Sequence, residues 1–285
     1  MPVVKIYGLG WVGKSMWTLF PTALIQDPDC GYTETRTADI AFICVPTPLL
    51  ESGGLDCSIV EQVIREAKEP LIIVRSTLMP GTCDKFPDKN IVFQPESLGE
   101  TVAHPLLDPT VRPFMILGGT PENRRRAIEV YQGVYNANIK IRQVTNLEAE
   151  VIKLSENRAI AFKVAQCQEL YDACQAAGVD YNTIREAVYG DDPRFNLWWT
   201  FVYPDKRGFN SKCIPKDVYG WAAWAESVGY SPELTRAMLE VNEKYLWNQK
   251  EKQCPKRLFS TAKHSTLSST TDLTVTLTGT SSTHR

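Results

Sequence analysis

Long apolar runs, paired cysteines, clustered histidines and an excess of either charge are all absent from this 285-residue sequence. The apolar stretch nearest the start, residues 2–12, is too short to span a bilayer and has neither the basic region nor the cleavage site of a signal peptide. A cytoplasmic protein without a membrane partner is expected. Lys and Arg number 31 against 33 Asp and Glu, a formal charge of -2, so no global positive field recruits nucleic acid and a small solute is the expected partner. Eight cysteines without one CxxC pair argue against both a disulfide framework and a structural zinc site. His104, His264 and His284 show no ligand spacing, and no metal is expected.

What is present is an alternation of two kinds. The segments VVKIYGLG, TALIQD, ADIAFICVP, EPLIIVRST, KNIVFQP and RPFMILGG are short, apolar and punctuated by Pro, Gly and Ser. Strands apolar on both faces suit a parallel sheet covered by helices, so residues 1–144 are read as an α/β, Rossmann-like, doubly wound domain. From Thr145 the pattern turns helical. Thr145 and Glu148 have the spacing of a capping box and Gly178 marks a stop, which gives a helix of about 32 residues and about 48 Å. Shorter helices are expected near residues 181–189, 215–227 and 232–253, with Pro215 and Pro232 in first-turn positions. Residues 145–254 therefore form an all-helical central domain, and the Ser/Thr-rich residues 255–285 read as a disordered tail.

Gly8, Gly10 and Gly13 form GxGxxG directly after VVKIY and before a helical segment, with Trp11 and Val12 inside the turn. In that context the glycines permit a tight turn, the approach of a pyrophosphate to the backbone and close helix–strand packing. Asp27 ends the next strand, where a carboxylate accepts from an adenosine ribose and disfavours a 2'-phosphate, so NAD is the expected cofactor. The plainer alternative is a glycine turn followed by a surface Asp. Lys153 and Asn157 stand four apart on one helical face, either as a site or as a solvated polar stripe. Cys213 precedes a helix start at Pro215 and lies between Lys212 and Lys216, surroundings that favour a thiolate.

Five segments in order, IYGLGWVGKS, ADIAFICVPTP, IIVRSTLMPGT, FQPESLGE, and EAEVIKLSENRAIAFKVA with GFNSKCIPKD, resemble the UDP-glucose/GDP-mannose 6-dehydrogenase family over residues 4–245. The resemblance implies a homodimer joined through its helical domain. It also implies NAD-dependent oxidation of a nucleotide-sugar C6 alcohol to a carboxylate through a thiohemiacetal and a thioester. Under it Cys213 is the nucleophile, Lys153 and Asn157 steady the oxyanion, Asp217 assists a proton-relaying water and Glu96 is a base for hydrolysis. Thr47 and Thr77 become cofactor contacts, and Glu100 and Lys216 touch cofactor or substrate. Leu98, Gly208, Phe209 and Asn210 join Glu96, Lys153 and Asn157 around the substrate.

Three departures accompany the resemblance. The family continues after its long final helix into a second α/β domain that holds the nucleotide, and here the Ser/Thr-rich tail follows instead. Its GFGGSC is GFNSKC here, so Asn210, Ser211 and Lys212 replace two glycines and a serine, at positions where glycine permits positive φ. Gly13 and Asp27 are only 14 positions apart and residues 27–38 are too short for a strand–helix unit, so a peripheral element of the sheet is expected to be missing. Two other readings stay open: a β-hydroxyacid dehydrogenase relying on Lys153, and a non-catalytic nucleotide binder. Trp221, Trp224 and the apolar face of residues 232–247 are candidate dimer surface.

Overall fold

The computed structural model describes residues 2–99, 104, 106, 108–135 and 138–253. Glu100 and the tail at 255–285 lie outside the described residues. The first half alternates strands and helices: β1 (Val4–Tyr7), α1 (Trp11–Leu19), β2 (Leu24–Asp27), β3 (Tyr32–Thr33), β4 (Ile40–Ile43), α2 (Ser58–Glu66), β5 (Ile72–Val74), β6 (Ile91–Phe93), β7 (Phe114–Leu117), α3 (Pro121–Gln132) and β8 (Lys140–Gln143). Six strands form one sheet in the order β3-β2-β1-β4-β5-β6, parallel except for β3 at the edge. The chain leaves β1 in one direction to β2 and returns to β4 on the other side, so the order reverses between β1 and β4. In open α/β sheets ligands bind at that reversal, beyond the carboxyl ends of the strands.

Central β4 is buried along its whole length, with Ile40 and Phe42 in the core of one sheet face and Ala41 and Ile43 in the core of the other. That double burial is why these strands carry no polar alternation. β1 is different. Val4 and Ile6 enter one core, while Lys5 and Tyr7 face the side that a crossover helix after β2 would cover. A 3-10 turn, Pro28–Cys30, and the two-residue antiparallel β3 stand where that unit is expected. Lys5 is nevertheless buried, because residues 34–38 cross over it and the Arg36 carbonyl accepts from its Nζ at 3.1 Å. Buried Glu69 accepts from the Tyr7 hydroxyl at 3.2 Å and from the Ala38 N–H at 3.4 Å. Polar pairing thus closes the face that the shortened crossover leaves without a helix.

β7 and β8 form a separate parallel pair, which meets β6 through the Gly118 N–H and the Phe93 carbonyl at 2.8 Å. Most of the open edge of β6 is filled by a side chain. The Phe93 N–H donates to Asn146 Oδ1 at 2.9 Å, and Asn146 Nδ2 donates to the Ile91 carbonyl at 3.4 Å.

Asn146 opens α4 (Asn146–Ala177), 32 residues long, with Thr145 at its N-cap and Glu148 completing a capping box. Gly178 ends it at φ 68, a left-handed position that glycine adopts without steric cost. Thr145→Ala removes one arm of that box and is expected to cost about 1 kcal/mol, measurable as a shift of the denaturant midpoint at unchanged slope. After α4 come α5 (Tyr181–Glu186), a five-residue π turn at Ala187–Asp191, α6 (Ile214–Ser227) and α7 (Glu233–Gln253). Ala161 of α4, Phe209, Val218 of α6, and Met238 and Leu239 of α7 share a buried cluster. The second half is all-helical, with α4 as its spine.

Candidate active site

The glycine turn follows β1. Gly8 sits at φ +89 with its α-carbon so close to β4 that a Cβ would lie 2.9 Å from the Cys44 carbonyl, and a Cβ on Gly13 would lie 1.9 Å from the Gly8 oxygen. Neither position admits a side chain. Gly10 is the opposite case, since a Cβ there meets nothing within 4 Å. Gly10 is also the N-cap of α1, with no side-chain cap, so the first N–H groups of that helix border open space. Trp11 is exposed beside them, and Val12 packs against the core. Asp27, at the end of β2, is half-buried; its Oδ2 accepts from the Leu9 N–H at 2.5 Å and its Oδ1 from the Cys30 N–H at 3.2 Å. A carboxylate has about four lone-pair sites, so these two bonds orient Asp27 and still leave acceptor capacity for a ribose hydroxyl. Open space at Gly10, an uncapped helix start and an oriented carboxylate fit a dinucleotide.

Two further loops leave the same end of the sheet. Ser76, after β5, donates to the Val45 carbonyl after β4 at 2.6 Å, tying the loop of Thr77 to the loop of Thr47. Buried Glu150 of α4 accepts from the Gly81 N–H at 2.6 Å and the Cys83 N–H at 2.9 Å, holding the Thr77 loop from the other side. Thr47 is buried and Thr77 half-buried.

The helical half approaches this edge through α6. Cys213 is the N-cap of α6 and exposed, and its carbonyl accepts from the Asp217 N–H at 3.0 Å. Asp217 is only 1% exposed and gathers three partners. Asn157 Nδ2 donates to its Oδ2 at 2.6 Å, Lys153 Nζ lies 3.6 Å from the same oxygen, and Lys216 Nζ lies 3.2 Å from Oδ1 without hydrogen-bond alignment. Lys216 also donates to Thr47 Oγ1 at 3.4 Å. The polar stripe of α4 is therefore not solvated: it faces a buried carboxylate, and two ammonium groups compensate the burial of that charge. Lys216 links this cluster to the sheet.

The substituted loop before Cys213 needs little positive φ. Among the described residues 208–213 only Gly208 has it, at φ 73, where a Cβ would lie 2.6 Å from Asn242 Oδ1. Asn210, Ser211 and Lys212 are exposed with ordinary φ, so these replacements for glycine carry no backbone strain. Phe209 anchors the loop, buried among α4, α6 and α7, with Asn242 accepting from its N–H at 2.8 Å and donating to its carbonyl at 3.0 Å. Ser211 Oγ accepts from the Ile214 N–H at 3.2 Å.

Glu96 is placed differently from the expected base. It is buried, Arg75 bonds its Oε2, and its Oε1 accepts from Arg112 at 2.6 Å, the Ser97 N–H at 2.8 Å and the Leu98 N–H at 2.7 Å. With both oxygens occupied it is an anchor for the loop at 95–98, and half-buried Leu98 takes its position from it. Arg75, Arg112, Glu150 and Glu156 escape sequence reasoning. A charge at the border of an apolar run, as in IIVRST and VRPFMIL, is the signal that marks the two arginines. His104 also comes close: its ring meets Trp199 edge-on at 5.9 Å, and burial, with Lys153 adding to the effect, lowers its pKa. Trp221 is engaged within the chain, stacked under Arg158 at 3.9 Å and donating to Ser155 Oγ at 3.2 Å. Among the described residues no helix is long and apolar enough to cross a membrane, and no group of three or more His, Cys, Asp or Glu is placed to hold a metal.

A Rossmann-type sheet whose ligand edge is bridged by Lys216 to a cysteine-bearing helical unit places the protein in the class of two-part NAD-binding proteins. Residues 30–138 match the NAD binding domain of the UDP-glucose/GDP-mannose dehydrogenase family, and residues 147–244 match its central domain. The chain belongs to that family. It is 26% identical over 238 residues to the UDP-glucose 6-dehydrogenase AglM of Haloferax volcanii, covering 74% of this chain and 54% of that protein. A GDP-mannose 6-dehydrogenase of Pseudomonas savastanoi pv. phaseolicola is 28% identical over 236 residues, covering 75% and 52%. The chain thus spans about half the length of the curated relatives it matches. The fold matches that of a UDP-glucose dehydrogenase from Pyrobaculum islandicum with a TM-score of 0.73 at 22% identity, over 89% of this chain and 71% of that one.

Proposed function

We propose that the protein oxidises the C6 alcohol of a nucleotide sugar, of the UDP-glucose type, to the carboxylate in two steps on one cysteine. The observation that carries this reading is the convergence of Lys153, Asn157 and Lys216 on buried Asp217, one helical turn from exposed Cys213 and linked to Thr47 at the dinucleotide edge. NAD, when bound, supplies acceptance of a hydride in each oxidation. Asp27 orients the adenosine end, and the first turn of α1 faces the pyrophosphate.

In this reading the first oxidation removes a hydride and a proton from the alcohol, giving an aldehyde. Cys213 sulfur then bonds to the aldehyde carbon, and the oxygen charge so formed falls to the Lys153 ammonium and the Asn157 amide. The resulting thiohemiacetal is oxidised to a thioester on Cys213. Water cleaves it, returning the thiolate and releasing the acid. Asp217 holds Lys153 and Asn157 in place throughout, which a preorganised oxyanion site requires.

Purified protein mixed with NAD and a panel of nucleotide sugars led by UDP-glucose is expected to form two NADH per sugar consumed. One NADH per sugar would indicate a simple alcohol oxidation. NAD binding with no NADH formed would exclude a stand-alone dehydrogenase and leave a nucleotide-binding relative. The homodimer implied by the family likeness belongs to the same proposal, with Leu234 and Trp247 of α7 as exposed apolar surface for it. Sedimentation giving one monomeric species at micromolar concentration would exclude that dimer.

A further inference from the structure

We propose that the cavity between the end of β6 and β7 is a binding site for one small monatomic anion of the halide class, held by Arg75 and Arg112. The Gly118 N–H donates to the Phe93 carbonyl at 2.8 Å, but Pro95, two positions further along the same edge, has no N–H with which to continue a ladder. The two chains part there. A cavity of about 10 Å³ opens in the gap, lined by Arg75, Gln94, Ser97 and Arg112 on its polar side and closed by Pro95 and residues 114–116. That volume takes one particle of about the size of a water molecule, which admits chloride and excludes phosphate or gluconate.

Charge decides which kind of particle it takes. The Arg75 and Arg112 side chains are only 3% and 9% exposed, and both bond the single carboxylate of Glu96. Two guanidinium groups against one carboxylate leave one buried positive charge without a counter-charge, a costly arrangement that an anion relieves. The ionisable groups beside Arg75 do not supply that charge. Burial pushes the Cys44 thiol up to about 12 and raises the Tyr131 phenol, in both cases against the opposing pull of Arg75, so both stay protonated.

Hydrogen bonding points the same way. Arg75 Nε is buried and, among the described residues, has no hydrogen-bond partner. Gln94 Oε1 accepts from the Tyr131 hydroxyl, which leaves the Gln94 amide nitrogen as a further donor, while the Ser97 hydroxyl is turned to Glu156 Oε2 at 3.4 Å. A water molecule would accept from Nε and leave the charge uncompensated; a halide does both. Because Arg75 and Arg112 also grip Glu96, an ion seated between them steadies the loop at 95–98 that Glu96 anchors. The site stands apart from the chemistry at Cys213 and does not depend on the identity of the substrate.

The test uses the full chain, with sodium gluconate replaced stepwise by sodium chloride at constant ionic strength. The melting temperature is expected to rise along a saturating curve, by about 2–4 °C at a tenfold excess of chloride over its dissociation constant. The chloride NMR line should broaden in the presence of protein and sharpen again when bromide competes. Arg112→Gln cancels the excess positive charge yet keeps an N–H for Glu96, and should abolish both effects, whereas Arg112→Lys should retain them in part. Glu96→Gln gives a second check, since removing the one carboxylate should lower the chloride concentration needed for half-saturation. Equal melting in the two salts with no broadening would assign the cavity to water and overturn the proposal. So would a halide effect of native size in Arg112→Gln, which would place the ion elsewhere, or an unchanged half-saturation point in Glu96→Gln.

Discussion

Gly13→Ala is expected to lower the melting temperature by about 6–12 °C, from a cost of about 3 kcal/mol in a chain of this size. The added Cβ would lie 1.9 Å from the Gly8 oxygen, and that atom is backbone in a turn already pressed against β4, so relief requires moving α1 away from the sheet. NAD affinity should fall with it, since the first turn of α1 moves as a unit. Gly10→Ala separates the two effects. Its Cβ meets nothing within 4 Å, so stability should change by no more than the ordinary N-cap difference of about 1 kcal/mol. NAD affinity should nevertheless fall about tenfold, or about 1.4 kcal/mol, because the methyl group stands where the pyrophosphate approaches. Calorimetric melting and NAD titration of both variants check this. Unchanged melting of Gly13→Ala would sink the close-packing argument, and unchanged NAD affinity of Gly10→Ala would move the pyrophosphate elsewhere.

Cys213→Ala is expected to reduce acid formation by about 10⁴-fold or more while leaving the fold intact, the ordinary outcome when a nucleophile is deleted from a cooperating set. Cys213 is exposed at the rim of α6, outside every core cluster, so the melting free energy should stay within about 0.5 kcal/mol. The informative quantity is what remains. With no sulfur to capture the aldehyde, at most one NADH per sugar should form. Cys213→Ser tests the rival chemistry: if it keeps native turnover at one NADH per substrate, Lys153 is acting as the proton carrier of a simple alcohol dehydrogenase and the thioester route is wrong. If both variants lose the second oxidation, the sulfur is required.

The parts of this architecture that could be read beforehand are those whose determinants are local. Both ends of α4 follow from contacts within four residues, Thr145 with Glu148 at one end and Gly178 at the other. The glycine turn follows from three positions in one loop. What could not be read depends on partners distant in the chain. Glu96 looks like an unencumbered carboxylate until Arg75 and Arg112, 21 and 16 positions away, close on it. The face formed by Lys153 and Asn157 was visible as a face, but its opposite number Asp217 lies 60 positions from Asn157. β3 and β8 carry no apolar signal: β3 is two exposed residues, and β8 reads Lys-Ile-Arg-Gln with only its Ile half-buried. The missing crossover unit, in contrast, was legible as a simple deficit of length.

Asn146 gives α4 a mechanical character. Its amide occupies hydrogen-bonding positions that a neighbouring strand would fill on β6, so the first turn of a 48 Å rod is riveted to the sheet, and Glu150 adds a second rivet one turn along. A beam deflects least near its clamp, and Lys153 and Asn157 stand only about 10 and 16 Å from Asn146 along the helix axis. Bending of α4 therefore displaces these two side chains only slightly relative to the dinucleotide edge, while the far end of the rod is seated separately, in the buried cluster of Cys167, Cys174, Tyr181 and Tyr189.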